Sequence, residues 1–131
     1  MTLGKRHFII KAHLVISVIV VVPVAFIYGF DLIDFVNLNP LTLDEKNFYK
    51  AVMGMYLTFS LLWIWGIFKS QFLETALISN MVFMLGLGVG RSISIVLDGL
   101  PSIGYLLGTV GELVLGLYGL WLLNSKYGKK M

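Results

Sequence analysis

Two ionisable residues stand where ionisable residues are costly. Arg91 is the single charge in the apolar stretch 75–97, and Glu112 the single charge in 103–123. A charge near the centre of a bilayer costs about 2.5–3.5 kcal/mol on insertion scales, so such groups turn inward and find partners. Their depths match. If the first stretch is a helix running outward, Arg91 lies about 9 Å below its end at Leu97; if the second runs back inward, Glu112 lies about 13 Å below Ile103. An arginine stem spans the difference. The spacing therefore predicts an Arg91–Glu112 ion pair in the outer half of the membrane, bidentate because a planar guanidinium matches a carboxylate. Such a pair is either a structural latch that sets helix register or a site that captures a solute. Asn80, Met84, Arg91, Ser94 and Asp98 fall within about one-third of a helix circumference, a semi-polar lane ending at Asp98. Asp98 has turn chemistry within Asp98-Gly99-Leu100-Pro101-Ser102. At seven residues from Arg91 it could also share the guanidinium with Glu112. Arg91, Glu112, Asp98 and Ser94 are thus the candidate binding set.

Glycines surround these charges. Gly108 and Gly116 flank Glu112 four residues away on either side, Gly119 follows at seven, and Gly86 and Gly90 form a second stripe beside Arg91. Small residues let helix backbones approach closely in lipid, so all five are expected at packing contacts. Other chemistry is missing from the sequence. There is no cysteine, and His7 and His13 have no neighbouring acid, so no metal site is expected. No Ser-His-Asp set, HExxH or paired-aspartate motif occurs, so no catalytic residue and no cofactor are assigned. The run Gly86-Leu-Gly-Val-Gly90 imitates a phosphate loop only superficially, because it lies mid-span with no strand before it. Ser17, Thr58, Ser60 and Thr109 read as hydroxyls bonded back to their own helices or across to a neighbour.

The elements that must position these groups follow from composition. In 131 residues, 58% are hydrophobic and 13% charged, with mean hydropathy +0.89. Soluble domains carry about 25% charged residues, so a water-soluble globule is excluded, and the apolar content excludes disorder. A net charge of +3 is too small and dispersed for a nucleic-acid partner. About 20 apolar residues cross a bilayer, and four windows qualify: 12–30, 51–68, 75–97 and 103–123. Every charge other than Arg91 and Glu112 falls outside them. The expected fold is all-α, an antiparallel bundle of four transmembrane helices forming one domain over 1–131. The first window is too long for a typical signal-peptide core, and Pro23 should bend it. Asn39-Pro40 marks a turn in the first loop, after which Thr42 and Glu45 fit a capping box opening the second helix.

Lys and Arg accumulate in the two tails and the second loop, which places both termini in the cytoplasm. Trp63, Trp65, Trp121 and Tyr127 then fall near the inner headgroups, with Tyr28, Tyr49 and Tyr105 near the outer ones, as an aromatic belt.

The pattern Gly90-Arg91-x-x-Ser94-x-x-x-Asp98-Gly99-x-Pro101, followed by Glu112-x-x-x-Gly116-x-x-Gly119-x-Trp121, resembles small bacterial membrane proteins of the family catalogued as domain of unknown function 4345. The resemblance covers the C-terminal half; the first two spans match only in hydropathy, and the long acidic first loop departs from it. It implies a four-helix protein of the bacterial cytoplasmic membrane with Arg91, Asp98 and Glu112 as its signature. It implies no activity. Three functions compete on these residues: a non-enzymatic scaffold or accessory subunit, a small transporter or channel for an anionic or proton-coupled solute, and a lipid-headgroup-binding protein. The expected partners are membrane lipids, together with a second copy of the chain or another membrane protein.

Overall fold

The computed structural model describes residues 1–32 and 41–125. Among these residues it contains four α-helices and one short 3-10 turn, and no strand. Helix α1 runs from Leu3 to Phe30, α2 from Leu43 to Phe68, α3 from Leu73 to Asp98 and α4 from Ile103 to Asn124. Each is long and apolar enough to cross a membrane. The chain is an all-α four-helix bundle, and by length and composition an integral membrane protein. The turn at Asn39-Pro40 and the cluster Lys126, Tyr127, Lys129 and Lys130 lie outside the described residues.

Two helices begin earlier than apolarity alone indicates. The Thr2 side chain accepts the Lys5 amide at 3.3 Å, so α1 opens at Leu3 and carries Lys5, Arg6 and Lys11 on helix rather than tail. The expected capping box forms at α2: Thr42 Oγ1 accepts the Glu45 amide at 3.2 Å, and the Glu45 carboxylate accepts the Thr42 amide at 2.8 Å. Reciprocal satisfaction of two orphan amides lets a helix start in polar sequence before it enters the apolar span. Helix α1 continues through Pro23, which lacks the amide that would bond to Ile19.

Short turns make neighbours antiparallel. The 3-10 turn Ser70–Phe72 folds α3 back along α2, with Gly66 of α2 pressed against Ala76 and the Phe72 carbonyl. Gly99 joins α3 to α4 at φ 104°, in the left-handed region where a side chain is disfavoured. The most extensive packing is α1 on α2 and α3 on α4; α1 and α4 touch only sparsely, and α2 and α4 not at all. The core is Ile10, Leu14, Leu73, Leu77, Met84 and Leu122 with Trp63, all essentially inaccessible. Trp63 is thereby corrected from a belt residue to a core one. It is fully buried, stacks edge-on against Phe83 and donates Nε1–H to Ser79 Oγ at 3.1 Å, because indole is tolerated inside once its N–H is satisfied.

The seam between α3 and α4 is reciprocal. A Cβ on Gly88 would lie 2.6 Å from Leu113, and one on Gly116 2.6 Å from Leu85. Each helix thus presents a Leu three residues before a Gly, and each Leu sits on the other helix's Gly. In lipid, helices gain nothing from hiding apolar surface, so this close fit and the hydrogen bonds across it hold them together.

Candidate functional site

The third and fourth helices bring Arg91 and Glu112 together as a salt bridge. Arg91 Nε lies 2.9 Å from Glu112 Oε2 and 3.2 Å from Oε1. The two side chains keep 20% and 14% of their exposure, so the pair is half-buried rather than sealed. The expected fork-to-fork geometry is not adopted. A single nitrogen straddles the carboxylate, because the rest of the guanidinium turns toward α1. There Arg91 Nη2 donates to Tyr28 Oη at 3.1 Å. The Tyr105 ring lies 5.6 Å from the guanidinium carbon, within reach of a cation–π contact. Three helices are therefore joined through one arginine.

Tyr28 is the site residue that the sequence did not single out. Instead of belonging to an outer belt it is buried, at 7% exposure, and it centres an aromatic cluster. Its ring stacks on Tyr105 and Tyr49 and meets Tyr56 edge-on, all with centroids about 6 Å apart. A signal was present. Along α1, the polar residues Arg6, His13, Ser17 and Tyr28 follow one another at intervals of 7, 4 and 11, each close to a whole number of helical turns. They share one face, and all four are buried.

The remaining members of the candidate set go elsewhere. Ser94 Oγ donates to Asp98 Oδ2 at 2.8 Å, one turn apart on the exposed C-terminal end of α3. Asp98 makes no hydrogen bond to Arg91, and the proposed sharing of the guanidinium is corrected: the lane from Asn80 rotates out of the bundle beyond Arg91. Of the glycines, Gly116 and Gly119 pack. Gly119 approaches Met81 and the His13 ring, each 3.4 Å from where a Cβ would stand. Around Gly86, Gly90 and Gly108 nothing would lie within 4 Å of a Cβ, so these three are corrected from packing positions to open ones.

Gly108 is open because it borders a cavity. Where α1 and α4 diverge, a space of about 160 Å³ is lined by Val20, Val24 and Ile27 of α1 and by Gly104, Gly108 and Gly111 of α4. Arg91, Glu112, Tyr28 and Tyr56 supply its polar wall. The three glycines recur at intervals of four and three and so face one way.

Two further polar ties close the other end of the bundle. Arg6, buried to 5% exposure, donates to Glu74 Oε1 at 2.7 Å, to the Leu122 carbonyl at 3.1 Å and to Ser125 Oγ at 3.2 Å. This joins α1, α3 and α4 again and places a cation at the C-terminal end of α4, where the helix dipole favours it. Between the two arginines, His13 Nε2 and Asn80 Oδ1 are 3.0 Å apart in the buried α1–α3 seam, and Ser17 Oγ donates to the His13 carbonyl. Asn80, which the helical spacing places on the polar lane, thus meets His13 inside the bundle. Ser60 and Thr109 bond back to carbonyls four residues earlier, and Thr58 to two preceding carbonyls. Among the described residues no group of three or more His, Cys, Asp or Glu could hold a metal ion.

Compared with known proteins, the chain matches a family model, described as Domain of unknown function (DUF4345), over residues 9–123. No curated protein and no solved structure matches it.

Proposed function

We propose that this chain, which belongs to the DUF4345 family, is a non-enzymatic component of the bacterial cytoplasmic membrane, a scaffold or accessory subunit whose Arg91–Glu112 pair ties helices together. One observation carries this reading: Arg91 divides its hydrogen bonds between Glu112 of α4 and Tyr28 of α1 while belonging to α3. A charge committed to three helices at once suits a structural role better than a titrating one. The distribution of Lys and Arg supports cytoplasmic termini. Gly86 and Gly90, exposed on α3 with open space around them, support close approach of a helix from a second copy or another membrane protein.

A proton-coupled or anion transporter is the competing reading. It requires Glu112 or Arg91 to be released during each cycle, which the three-helix tie opposes. The test is charge exchange. Arg91→Glu and Glu112→Arg alone each bury an unpaired charge, and losing one partner of a buried pair costs about 3–5 kcal/mol, so each single variant is expected to lose folded protein. The double variant is expected to regain most of it, read as monodisperse protein on size exclusion. A double variant no better folded than the singles overturns the structural reading. Substrate flux in proteoliposomes that Glu112→Gln abolishes, with the fold retained, would establish the transporter instead.

A further inference from the structure

We infer that the cleft between α1 and α4 is a binding site for a neutral single-chain amphiphile that enters from the surrounding lipid, its uncharged hydroxyl or ester head against Arg91 and Glu112 and its chain leaving between the two helices.

The argument starts from size and wall chemistry. The space of about 160 Å³ matches an apolar cavity of about 150 Å³ that holds a benzene-sized guest. It accommodates a small polar head and the first few carbons of a chain, but not a phospholipid headgroup with two chains. Its side walls are Val20, Val24 and Ile27 facing Gly104, Gly108 and Gly111. Val20 and Leu107, which also line it, are exposed at 47% and 60%, so the cleft is continuous with the lipid-facing surface.

The polar wall sets the kind of head. Arg91 and Glu112 together carry no net charge. An anion seated beside them is attracted by the guanidinium and repelled by the carboxylate 2.9 Å away, and it still loses its hydration on entering, a cost of several kcal/mol per ion. A hydroxyl or ester meets no such opposition. Arg91 directs Nε–H to Glu112 and one Nη2 N–H to Tyr28, and Tyr56 is a further hydrogen-bonding neighbour, so part of its five N–H groups remains to donate, and the Glu112 oxygens retain acceptor capacity. A group that both accepts and donates, such as the glycerol end of a monoacylglycerol, matches both sides. The tyrosines Tyr28 and Tyr56, which line the cleft beside the guanidinium, supply apolar faces for the first carbons.

This inference depends on the cleft geometry and not on the accessory role, so the two fail separately. The experiment uses the full chain in phosphatidylcholine nanodiscs, free of detergent, with a photoactivatable monoacylglycerol, crosslinked and mapped by mass spectrometry. Labelling is expected on peptides covering 20–27 and 104–115. Excess unlabelled monoacylglycerol is expected to reduce it at least tenfold, while equal concentrations of the matching fatty acid, measured as its anion, or of phosphatidylglycerol reduce it less than twofold. Gly108→Phe fills open space and is expected to lower labelling at least tenfold with helicity retained; Gly111→Leu gives a second obstruction should Gly108→Phe not fold. Gly86→Phe, equally open but away from the cleft, is expected to leave labelling unchanged. Crosslinks elsewhere, equal competition by the fatty acid or phosphatidylglycerol, or labelling insensitive to both obstructions would overturn the assignment.

Discussion

Arg91 and Arg6 solve one problem in opposite ends of the bundle. Each places a cation that bonds to groups of two other helices among α1, α3 and α4, and each shares it between a carboxylate and at least one neutral oxygen. Sharing suits guanidinium, which offers five N–H donors on a rigid plane; an ammonium offers a point charge. In lipid a side-chain hydrogen bond contributes about 0.6 kcal/mol on average and about 1.7 at most. Tyr28→Phe removes the Arg91 bond while leaving the ring stack, and is therefore expected to destabilise the protein by about 1 kcal/mol. Arg91→Lys abandons the geometry that reaches both Glu112 and Tyr28, and is expected to cost more than Tyr28→Phe. Denaturant titration in micelles orders the two, and a Tyr28→Phe protein less stable than Arg91→Lys would contradict the sharing.

Between elements, the decisive contacts are made by glycines, but not by all of them. Gly88 and Gly116 admit Leu113 and Leu85 across the α3–α4 seam, and a Cβ at Gly116 would also stand 3.1 Å from the Leu85 amide nitrogen. Backbone cannot give way as a side chain can. Gly116→Ala is expected to cost about 1–3 kcal/mol, the usual penalty for overpacking. Gly86 has open space and needs no special backbone conformation, so Gly86→Ala is expected to be neutral or to stabilise by up to about 1 kcal/mol, alanine being the better helix former. The two substitutions are the same chemistry in the same membrane, so a thermal-unfolding comparison isolates the seam. Equal effects would remove the argument for interdigitation.

At the scale of the molecule, the bundle is closed at one end and parted along α1 and α4 toward the other. Arg6, the Leu122 carbonyl and Ser125 clamp the start of α1 to the end of α4, so both described termini lie at one end. The α3–α4 turn at Gly99 lies at the opposite end. Because the chain has no cysteine, this is testable without background. Asn124→Cys and Leu100→Cys, both at exposed positions, are expected to react with a membrane-impermeant maleimide from opposite sides of intact spheroplasts, Leu100→Cys from outside and Asn124→Cys only after lysis. Labelling of both from the same side contradicts the antiparallel crossing, and reversed sides overturn the cytoplasmic placement of the termini.

Residue type and order were enough for the membrane class, the four spans, the capping box at Thr42 and Glu45, and the convergence of Arg91 with Glu112. Each of these depends on local apolarity, on spacing along one helix, or on two helices joined by a turn too short to place them apart. The tertiary structure alone decided which third helix each charge engages. Tyr28 meets Arg91 across 63 residues, and Arg6 meets Glu74 and Leu122 across 68 and 116. It also decided which glycines touch a neighbour and which border the cleft, since Gly108 and Gly116 are equivalent in spacing about Glu112 and opposite in surroundings. The physical reason is shared. In lipid no hydrophobic contrast tells one apolar helix face from another, so the pairing of faces rests on shape and on polar groups far apart in the chain, and neither is written in any single segment.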